Sequence, residues 1–515
     1  MRNNTIITHL FIGIITVATI LLISCKSLAQ EKKLPIPVLK AGLAKLLIQM
    51  EDDEFSSLKV AYLSLFSTIA QEREAMVDNS GFFSFEIPLE TSIAWVWIPT
   101  LSGYAEEPSG FCLEAGKETK VKYFRDERDV MRIKIEQGLD LSSMLNDDPE
   151  VQDSIIGKML SLWESSLTKD SLDRFLLNPH DYASYAIRLD LGARLRVIED
   201  ETRLSTQKKI LLTNMMKLLF AESLFRYPKT MSKTYNMLKE REDTTTLNVS
   251  DPDRNYYTFL KEFDLNNPFY LCNPDLLNEF FQTLLRDRTL QIPRIEDRPV
   301  GEWLTEAKTI LAELVGFDEG LFYDLLVINT YAWQLNDEMR PLSDQQIKNL
   351  ASYYKGGEVE KIILMKNEEI KEASQEIEAP TVVPVPSVPN DALLDAIISK
   401  YKGKVVVVDF WATWCAPCLE AMNKIRTLKK KLENKEVVFV YFADTSSPKK
   451  LWNEKIQIIG GEHYYFSKEQ SDFLMEHFNV KGIPAYVIFD RNGKVIETFT
   501  GYPGDIEFRV IIETH

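Results

Sequence analysis

Two cysteines near the C-terminus carry the clearest chemical signal in this 515-residue chain. Cys415 and Cys418 follow a run of four valines, 405–408, which is typical of a strand buried on both faces. Apolar residues then recur at helical spacing, at Met422, Ile425, Leu428 and Leu432. Cys415 is therefore predicted to lie at a helix N-terminus, where free N–H groups and the helix dipole favour a thiolate. Such a thiolate beside a second thiol indicates a dithiol redox centre.

The spacing of the cysteines disfavours most other uses of the pair. Two cysteines supply only half the ligands of a structural zinc site, and the sequence holds no second pair of this kind. Haem attachment needs a histidine directly after the second cysteine, where Leu419 stands. Two alternatives remain, an inert pair of reduced core cysteines and a Cu(I) chaperone, since thiolates suit Cu(I). We expect no metal and no bound cofactor.

An acidic residue stands inside the apolar strand. Asp409 lies six positions before Cys415, and a carboxylate is costly to bury unless it serves a purpose. Burial raises the pKa of a carboxyl group, so Asp409 is predicted to take or return the proton that Cys418 exchanges when the disulfide forms. The structural alternative is an aspartate at the strand end that caps a neighbouring group or faces water.

A proline opens a second apolar strand. Pro484 precedes the strand predicted at 486–489, and proline is permitted at the first position of a strand. The Ile483–Pro484 bond is predicted to be cis and to present backbone groups beside Cys415, with which a substrate peptide pairs. An ordinary trans proline is the alternative.

From about Lys404 onward the sequence resembles a thioredoxin fold and, more narrowly, the TlpA/ResA-like periplasmic thiol-disulfide oxidoreductases. The motifs that carry the resemblance are residues 408–412, 414–418, 482–484 and the turn at 490–493. The resemblance implies that Cys415 attacks, Cys418 resolves, Asp409 is the buried carboxylate and Pro484 is the cis proline. We also expect Trp414, Ile483 and Pro484 to contact the substrate. Residues 505–515 leave room for only a short final helix.

The N-terminus has the layout of a secretory signal. An apolar run at 6–23 follows Arg2, and residues 22–25 resemble a lipobox in which Cys25 becomes lipid-modified. Ordinary cleavage after Ala29 and retention as an uncleaved anchor are the alternatives. All three place the folded part outside the cytoplasm, in the periplasm or cell envelope. The net charge of -17 argues against nucleic acid as a partner.

The patterning predicts a multidomain chain. Short alternating strands predict an N-terminal antiparallel β-sandwich, longer apolar periodicity predicts a central α-helical region, and the C-terminal part is the α/β thioredoxin fold. The predicted segments are a signal peptide at 1–29, the sandwich at 30–138, the helical domain at 139–378, a Pro-rich linker at 379–391 and the thioredoxin-like domain at 392–515. The clearest helices are predicted at 208–224, 276–285 and 303–314. A disulfide between Cys112 and Cys272 stays open, because sequence separation cannot decide it.

Two functional interpretations follow. In the first, the protein is an enzyme that exchanges dithiol for disulfide with exported proteins through Cys415. Ala416 and Pro417 add no polar or cationic side chain to stabilise the thiolate, so the pair is predicted to reduce rather than oxidise, recharged by a membrane-embedded electron relay. In the second, the larger front portion is a binding or scaffolding module to which the redox domain is accessory.

Overall fold

A computed structural model describes residues 33–51, 55–99, 110–127, 131–141, 149–165, 177–227, 252–375, 379–432 and 436–514. Of these, the residues up to Trp333 together with Leu342–Lys366 form one compact unit, and Gln334–Pro341 with the residues from Asn367 onward form another. The predicted signal segment 1–29, with Cys25, lies outside the described residues. Within the described ranges, no helix is long and apolar enough to cross a membrane.

Two four-stranded sheets share one apolar core in the first unit. The strands are β1 (Leu39–Met50), β2 (Ser57–Ser64), β3 (Ser67–Met76), β4 (Phe82–Thr91), β5 (Ile93–Trp97), β6 (Gly110–Glu114), β7 (Glu118–Arg125) and β8 (Met131–Gln137). The sheet orders are β4-β1-β7-β8 and β3-β2-β5-β6. Leu46 and Val121 from the first sheet pack in the same cluster as Val60 and Leu113 from the second. Apolar side chains that alternate along the strands thus form the core.

The first sheet is mixed, which corrects the prediction of an antiparallel sandwich. Strand β1 pairs antiparallel with β4 but parallel with β7. Alternation in a sequence identifies the buried face of a strand and carries no information about strand direction. A parallel pair requires a long crossover, which the intervening strands β2 to β6 supply here.

Helices make up the rest of the first unit. They are α1 (Pro149–Ser165), α2 (Pro179–Tyr185), α3 (Gly192–Asp200), α4 (Thr206–Phe225), α5 (Pro274–Leu285), α6 (Val300–Val315), α7 (Leu321–Ala332), α8 (Asp344–Tyr354) and α9 (Glu358–Gln375), the last ending in the second unit. The helices predicted at 208–224, 276–285 and 303–314 are confirmed as α4, α5 and α6. The buried Asn278 amide of α5 donates to the carbonyl oxygen of Leu65 (3.0 Å) and to Asn329 Oδ1 (2.9 Å), which joins helix α5 to both the sheets and α7.

The second unit is a six-stranded sheet with helices. Its elements are β9 (Thr381–Val382), α10 (Asn390–Ile398), β10 (Val405–Phe410), α11 (Ala416–Lys431), β11 (Val437–Asp444), α12 (Lys449–Ile459), β12 (Glu462–Phe466), α13 (Lys468–His477), β13 (Ala485–Phe489), β14 (Val495–Thr500) and α14 (Asp505–Thr514). The strand order is β14-β13-β10-β11-β12-β9. Strand β10 pairs parallel with β11 and antiparallel with β13, and every one of its residues is buried. The buried central strand predicted from the four valines is confirmed.

Two apolar layers cover this sheet. Val405, Val407 and the predicted helix positions Met422, Ile425, Leu428 and Leu432 lie in one layer, and Val406 and Val408 lie in the other. The short final helix α14 contributes Phe508 and Ile512 to the first layer, so it suffices to cover that face.

The Pro-rich segment 379–391 differs from the expected linker. Thr381–Val382 forms strand β9 and pairs parallel with β12 at the sheet edge. Val383 and Val385 pack against the second apolar layer. An extended, proline-rich segment can pair at an edge because an edge strand needs hydrogen bonds on one side only.

The core position of β1 generates a stability prediction. Leu46→Ala should lower the free energy of unfolding of the full chain by about 2–5 kcal/mol, because Leu46 is fully buried between the two sheets. The matched control is Leu43→Ala on the same strand, where the leucine is 57% exposed. The control should change stability by less than about 0.5 kcal/mol. Urea unfolding measures both, and equal losses would contradict this placement of β1.

Candidate redox site

The end of β10 and the start of α11 hold the two cysteines together. The Cys415 N–H donates to the Ala412 carbonyl oxygen at 3.0 Å, which closes a tight turn after the strand. The Cys415 carbonyl oxygen then accepts from the N–H groups of Cys418 (3.1 Å) and Leu419 (3.2 Å). Cys415 therefore stands directly before the first residue of the helix, as predicted, and it forms a disulfide with Cys418.

The helix N-terminus acts on the first sulfur. The Cys418 N–H donates to Cys415 Sγ at 3.2 Å. A donor aimed at sulfur, together with the positive end of the helix dipole, stabilises negative charge on that sulfur once the disulfide is reduced. Cys415 keeps 4% of its surface exposed, whereas Cys418 is completely buried. The geometry thus favours Cys415 as the thiolate that an external partner meets.

Asp409 faces the apolar layer that contains both cysteines. It lies opposite Tyr441 of β11 and Tyr486 of β13, and residues in register across a sheet point to the same face. Tyr441 and Tyr486 pack in the layer of Cys415 and Cys418. The Asp409 side chain is 1% exposed, and neither carboxyl oxygen has a hydrogen-bond partner. The alternative of an aspartate that caps a neighbour or faces water is therefore wrong.

Burial dominates the charge state of Asp409. It raises the pKa of the carboxyl group well above its usual value, while the positive charge of Lys429 acts in the opposite direction. The Lys429 ammonium lies 4.7 Å from the centre of the Tyr441 ring and 5.0 Å from that of Phe439. A carboxyl group whose pKa is raised by burial binds a proton more readily than an exposed one, which suits it to accept a proton during the exchange.

The sequence analysis missed Lys429, Tyr441 and Tyr486 as neighbours of Asp409. A signal for Lys429 was present, because it stands four positions after Ile425 and so shares its helix face. The two tyrosines give no such signal, since the register between strands places them there.

A buried histidine extends the same row of side chains. His463 of β12 lies opposite Tyr441 and stacks on its ring, with 4.8 Å between the ring centres. Its Nε2 atom lies 2.9 Å from the carbonyl oxygen of Gly460. Burial lowers the pKa of His463 to about 4, so the ring is neutral at neutral pH and Nε2–H donates to that carbonyl. The sequence analysis did not identify His463 as part of the site.

The loop before α12 positions the exposed edge of the site. The Thr413 N–H donates to Ser447 Oγ (3.0 Å), and Trp414 Nε1–H donates to Ser446 Oγ (3.3 Å). The Tyr465 hydroxyl donates to the Ser447 carbonyl oxygen at 2.6 Å. Trp414 is nevertheless 63% exposed. A large aromatic side chain directly before Cys415 is thereby held at the surface, where a partner protein can contact it.

Pro484 lies at the same end of the sheet. The Ile483–Pro484 bond is cis, as the sequence predicts. Strand β13 begins at Ala485, opposite Phe410, the last residue of β10. The Pro484 carbonyl oxygen accepts from the Gly501 N–H at 2.8 Å, and Ile483 packs against both apolar layers. The structure therefore places Pro484 at the end of the sheet where β10 finishes and the chain continues to Cys415.

No group of three or more histidine, cysteine, aspartate or glutamate side chains could hold a metal ion within the described ranges. The two sulfurs are the reactive atoms of the site. What the arrangement can do is exchange electrons and protons between a dithiol and a disulfide.

Comparison with known proteins identifies the class of the C-terminal domain. The Redoxin family matches residues 395–510. The thiol-disulfide oxidoreductase ResA of Geobacillus kaustophilus is 31% identical over 107 residues, which is 20% of this chain and 59% of that protein. ResA of Geobacillus thermodenitrificans is 30% identical over 104 residues, again 20% of this chain and 59% of the relative. These matches support a thioredoxin fold of the TlpA/ResA-like type for the C-terminal domain.

Solved structures cover the same region. A thioredoxin-family thiol:disulfide interchange protein from Chlorobium tepidum is 24% identical and covers 22% of this chain and 82% of its own, with a TM-score of 0.21. A thioredoxin domain of a thiol-disulfide oxidoreductase from Bacteroides vulgatus is 19% identical, with the same coverage and TM-score. The chain spans 59% of the length of the two ResA relatives, so the activity of the whole protein is a proposal.

The raised pKa of Asp409 generates a prediction for Asp409→Asn in the full chain with the disulfide intact. In the wild type the folded state binds this proton more tightly than the unfolded state, so stability falls as pH rises from the ordinary carboxyl pKa to the folded one. Asparagine does not ionise, so the variant should gain stability relative to the wild type across that window. The gain should be about 1.4 kcal/mol for each unit by which the pKa of Asp409 in the folded state exceeds that in the unfolded state. Calorimetry of both proteins over a pH series measures it.

The control for this variant is Asp490→Asn, whose effect on stability should have the opposite sign. The Asp490 carboxylate accepts backbone N–H groups of Lys494 and Asn492, and these bonds lower its pKa. Asp490→Asn should therefore lose stability at neutral pH, and the loss should disappear as pH falls through the folded pKa. If Asp409→Asn lost stability at neutral pH in the same way, the carboxyl group would have to be paired and charged in the folded protein.

Proposed function

We propose that this protein is a thiol-disulfide oxidoreductase that acts on exported proteins through the Cys415–Cys418 pair. The single observation that carries the proposal is the placement of the disulfide at the N-terminus of α11, with the Cys418 N–H donating to Cys415 Sγ. That bond favours the Cys415 thiolate, which is the attacking species of disulfide exchange. The buried Asp409 beside the same layer supplies a group for the accompanying proton.

The exchange proceeds in two balanced steps. The reduced Cys415 thiolate attacks one sulfur of a substrate disulfide, which forms a mixed disulfide and releases the first substrate thiolate. Cys418 then gives its proton to the Asp409 carboxylate and attacks Cys415 Sγ, which releases the second substrate thiolate. Two electrons pass to the substrate, and the domain ends with the Cys415–Cys418 disulfide. The reverse sequence would oxidise a substrate dithiol.

The substrate surface is proposed at Trp414, Ile483 and Pro484. Trp414 offers an exposed apolar face next to Cys415. Pro484 has no N–H, and its carbonyl oxygen is already bonded to the Gly501 N–H, so the backbone groups of Ile483 are the ones assigned to pair with a substrate peptide. This narrows to the Ile483 side of the bond the expectation that the Ile483–Pro484 bond presents such groups.

The location follows from the N-terminal sequence. The apolar run at 6–23 and the lipobox-like residues ending at Cys25 support export and attachment of a lipid to Cys25, which tethers the protein in the periplasm or cell envelope. Within such a compartment a reductant must be recharged, so a membrane-embedded electron relay is the proposed source of electrons and exported proteins with disulfides are the proposed substrates.

The different roles of Cys415, which attacks, and Cys418, which resolves the mixed disulfide, generate the first test. Cys418→Ser in the full chain should accumulate a mixed disulfide with a substrate protein, because the thiol that resolves it is gone. Cys415→Ser, the matched control, should accumulate none. Wild-type protein should also catalyse reduction of insulin by dithiothreitol, with activity lost in Cys415→Ser. Absence of insulin-reducing activity in the wild-type protein would contradict the proposed activity.

The direction of electron flow generates the second test. Ala416 and Pro417 add no charged or polar group to stabilise the thiolate further, so the reduction potential should be roughly -200 mV or below. Equilibration of the purified protein with glutathione buffers, followed by alkylation of Cys415 and Cys418, measures it. A value near -120 mV, typical of a strong periplasmic oxidant, would make the protein a disulfide donor and reverse the assignment of direction.

A further inference from the structure

Two cysteines outside the redox site belong to one apolar cluster in the interior of the first unit. Cys112 stands in the middle of β6, and Cys272 ends a 3-10 helix, Pro268–Cys272. Both are buried, at 1% and 6% exposure, and both are free thiols in the described structure. They are far apart in the sequence, yet they belong to one small apolar cluster.

This cluster is where the sheets and the helical part of the unit come together. Besides the two cysteines it contains Leu34, Ile93, Leu141 and Leu211, with Trp95 and Phe269 packed against it. Trp95 of β5 lies opposite Cys112 in the sheet, and Phe269 belongs to the same short helix as Cys272. The side chains that pack with the two cysteines in this cluster are apolar, and Cys112 Sγ–H donates a weak hydrogen bond to the Leu113 carbonyl oxygen at 3.6 Å.

The electrostatics of the thiols agree with their proximity. Burial raises the pKa of Cys272 to about 12. Burial also raises the pKa of Cys112, and a neighbouring Cys272 thiolate is the next largest cause. Two thiols that belong to one buried cluster and interact electrostatically can react with each other to form a disulfide.

We propose that Cys112 and Cys272 form a second, structural disulfide that links the sheets of the first unit to its helical part. This goes beyond the proposed function and does not depend on it. The crosslink would close a long loop of chain, and such links stabilise a fold mainly by restricting the unfolded state. It is also a bond suited to the oxidising compartment that the N-terminal sequence indicates.

The bond forms by exchange with a small-molecule disulfide such as oxidised glutathione, or with a protein disulfide of the compartment. The Cys272 thiolate attacks that disulfide, forms a mixed disulfide and releases one thiolate. Cys112 then loses its proton and attacks the Cys272 sulfur, which releases the second thiolate. Two electrons pass to the oxidant and its two thiolates take up the two protons. Because both thiols are buried with raised pKa values, the exchange takes place while the chain folds or opens locally.

Peptide mapping tests the proposal on the full chain. The protein is reduced and unfolded in urea, refolded in a buffer of oxidised and reduced glutathione, alkylated and digested with trypsin without reduction. We expect a disulfide-linked pair of the peptides 74–117 and 262–286, which contain Cys112 and Cys272. The link should disappear when the digest is reduced. The peptide 405–424, which holds the redox pair, is the internal control for oxidation in the same digest.

Alanine variants complete the test, since alanine keeps the positions small and apolar. Cys272→Ala should lose the linked peptides completely and leave Cys112 alkylated. Reduction should lower the urea midpoint of the wild type more than that of the Cys112→Ala/Cys272→Ala double variant. If Cys112 and Cys272 were both alkylated after refolding while Cys415 and Cys418 were joined, the two thiols would be inert core residues and the proposal would fall. Linkage of either cysteine to glutathione alone would overturn it as well.

Discussion

Strand β10 is hydrogen-bonded along both edges and covered by side chains on both faces, and the placement of the candidate redox residues depends on this. Its parallel partner β11 and antiparallel partner β13 fix its register, so Asp409 lies between Tyr441 and Tyr486. The strand ends at Phe410, and the chain then turns to deliver Cys415 to the start of α11. Because a packed central strand cannot shift without moving every neighbour, the sulfurs and the carboxyl group keep a constant relation to each other.

The arrangement lowers the stability of the fold at Asp409. A carboxyl group with no hydrogen-bond partner in an apolar layer lowers stability whenever it is charged, because the charged form loses its hydration. The protein keeps the group neutral over a wider pH range by raising its pKa, and the Lys429 charge limits that rise. A residue of this kind is best explained by its chemistry, since an apolar residue at the same position would stabilise the strand more.

The first unit is held together near Cys112 and Cys272 mainly by apolar contacts between the sheets and the helices. Asn278 adds a buried polar link, because its amide donates to both Leu65 and Asn329. Polar contacts that are fully satisfied in this way fix the relation between elements without leaving an unpaired group.

The sequence by itself determined the features that depend on neighbours along the chain. The four valines identified a buried strand, the spacing after Cys418 identified a helix, and the residues around Pro484 identified the cis bond. Strand β1 shows where local patterns fail. Its sequence, rich in leucine, lysine and alanine, has the composition of a helix, but two partner strands supply hydrogen bonds on both sides and hold it extended.

Tertiary structure alone decided which distant residues meet. Contacts between segments far apart in the chain set the direction of the β1–β7 pair and the row of Tyr441 and His463 beside Asp409. They also bring Cys112 and Cys272 into one apolar cluster. No local periodicity encodes such contacts, because each depends on how complete elements pack against one another. The chemistry of a residue can thus be inferred from its type and its neighbours in sequence, whereas its partners are set by the burial of apolar faces across the whole fold.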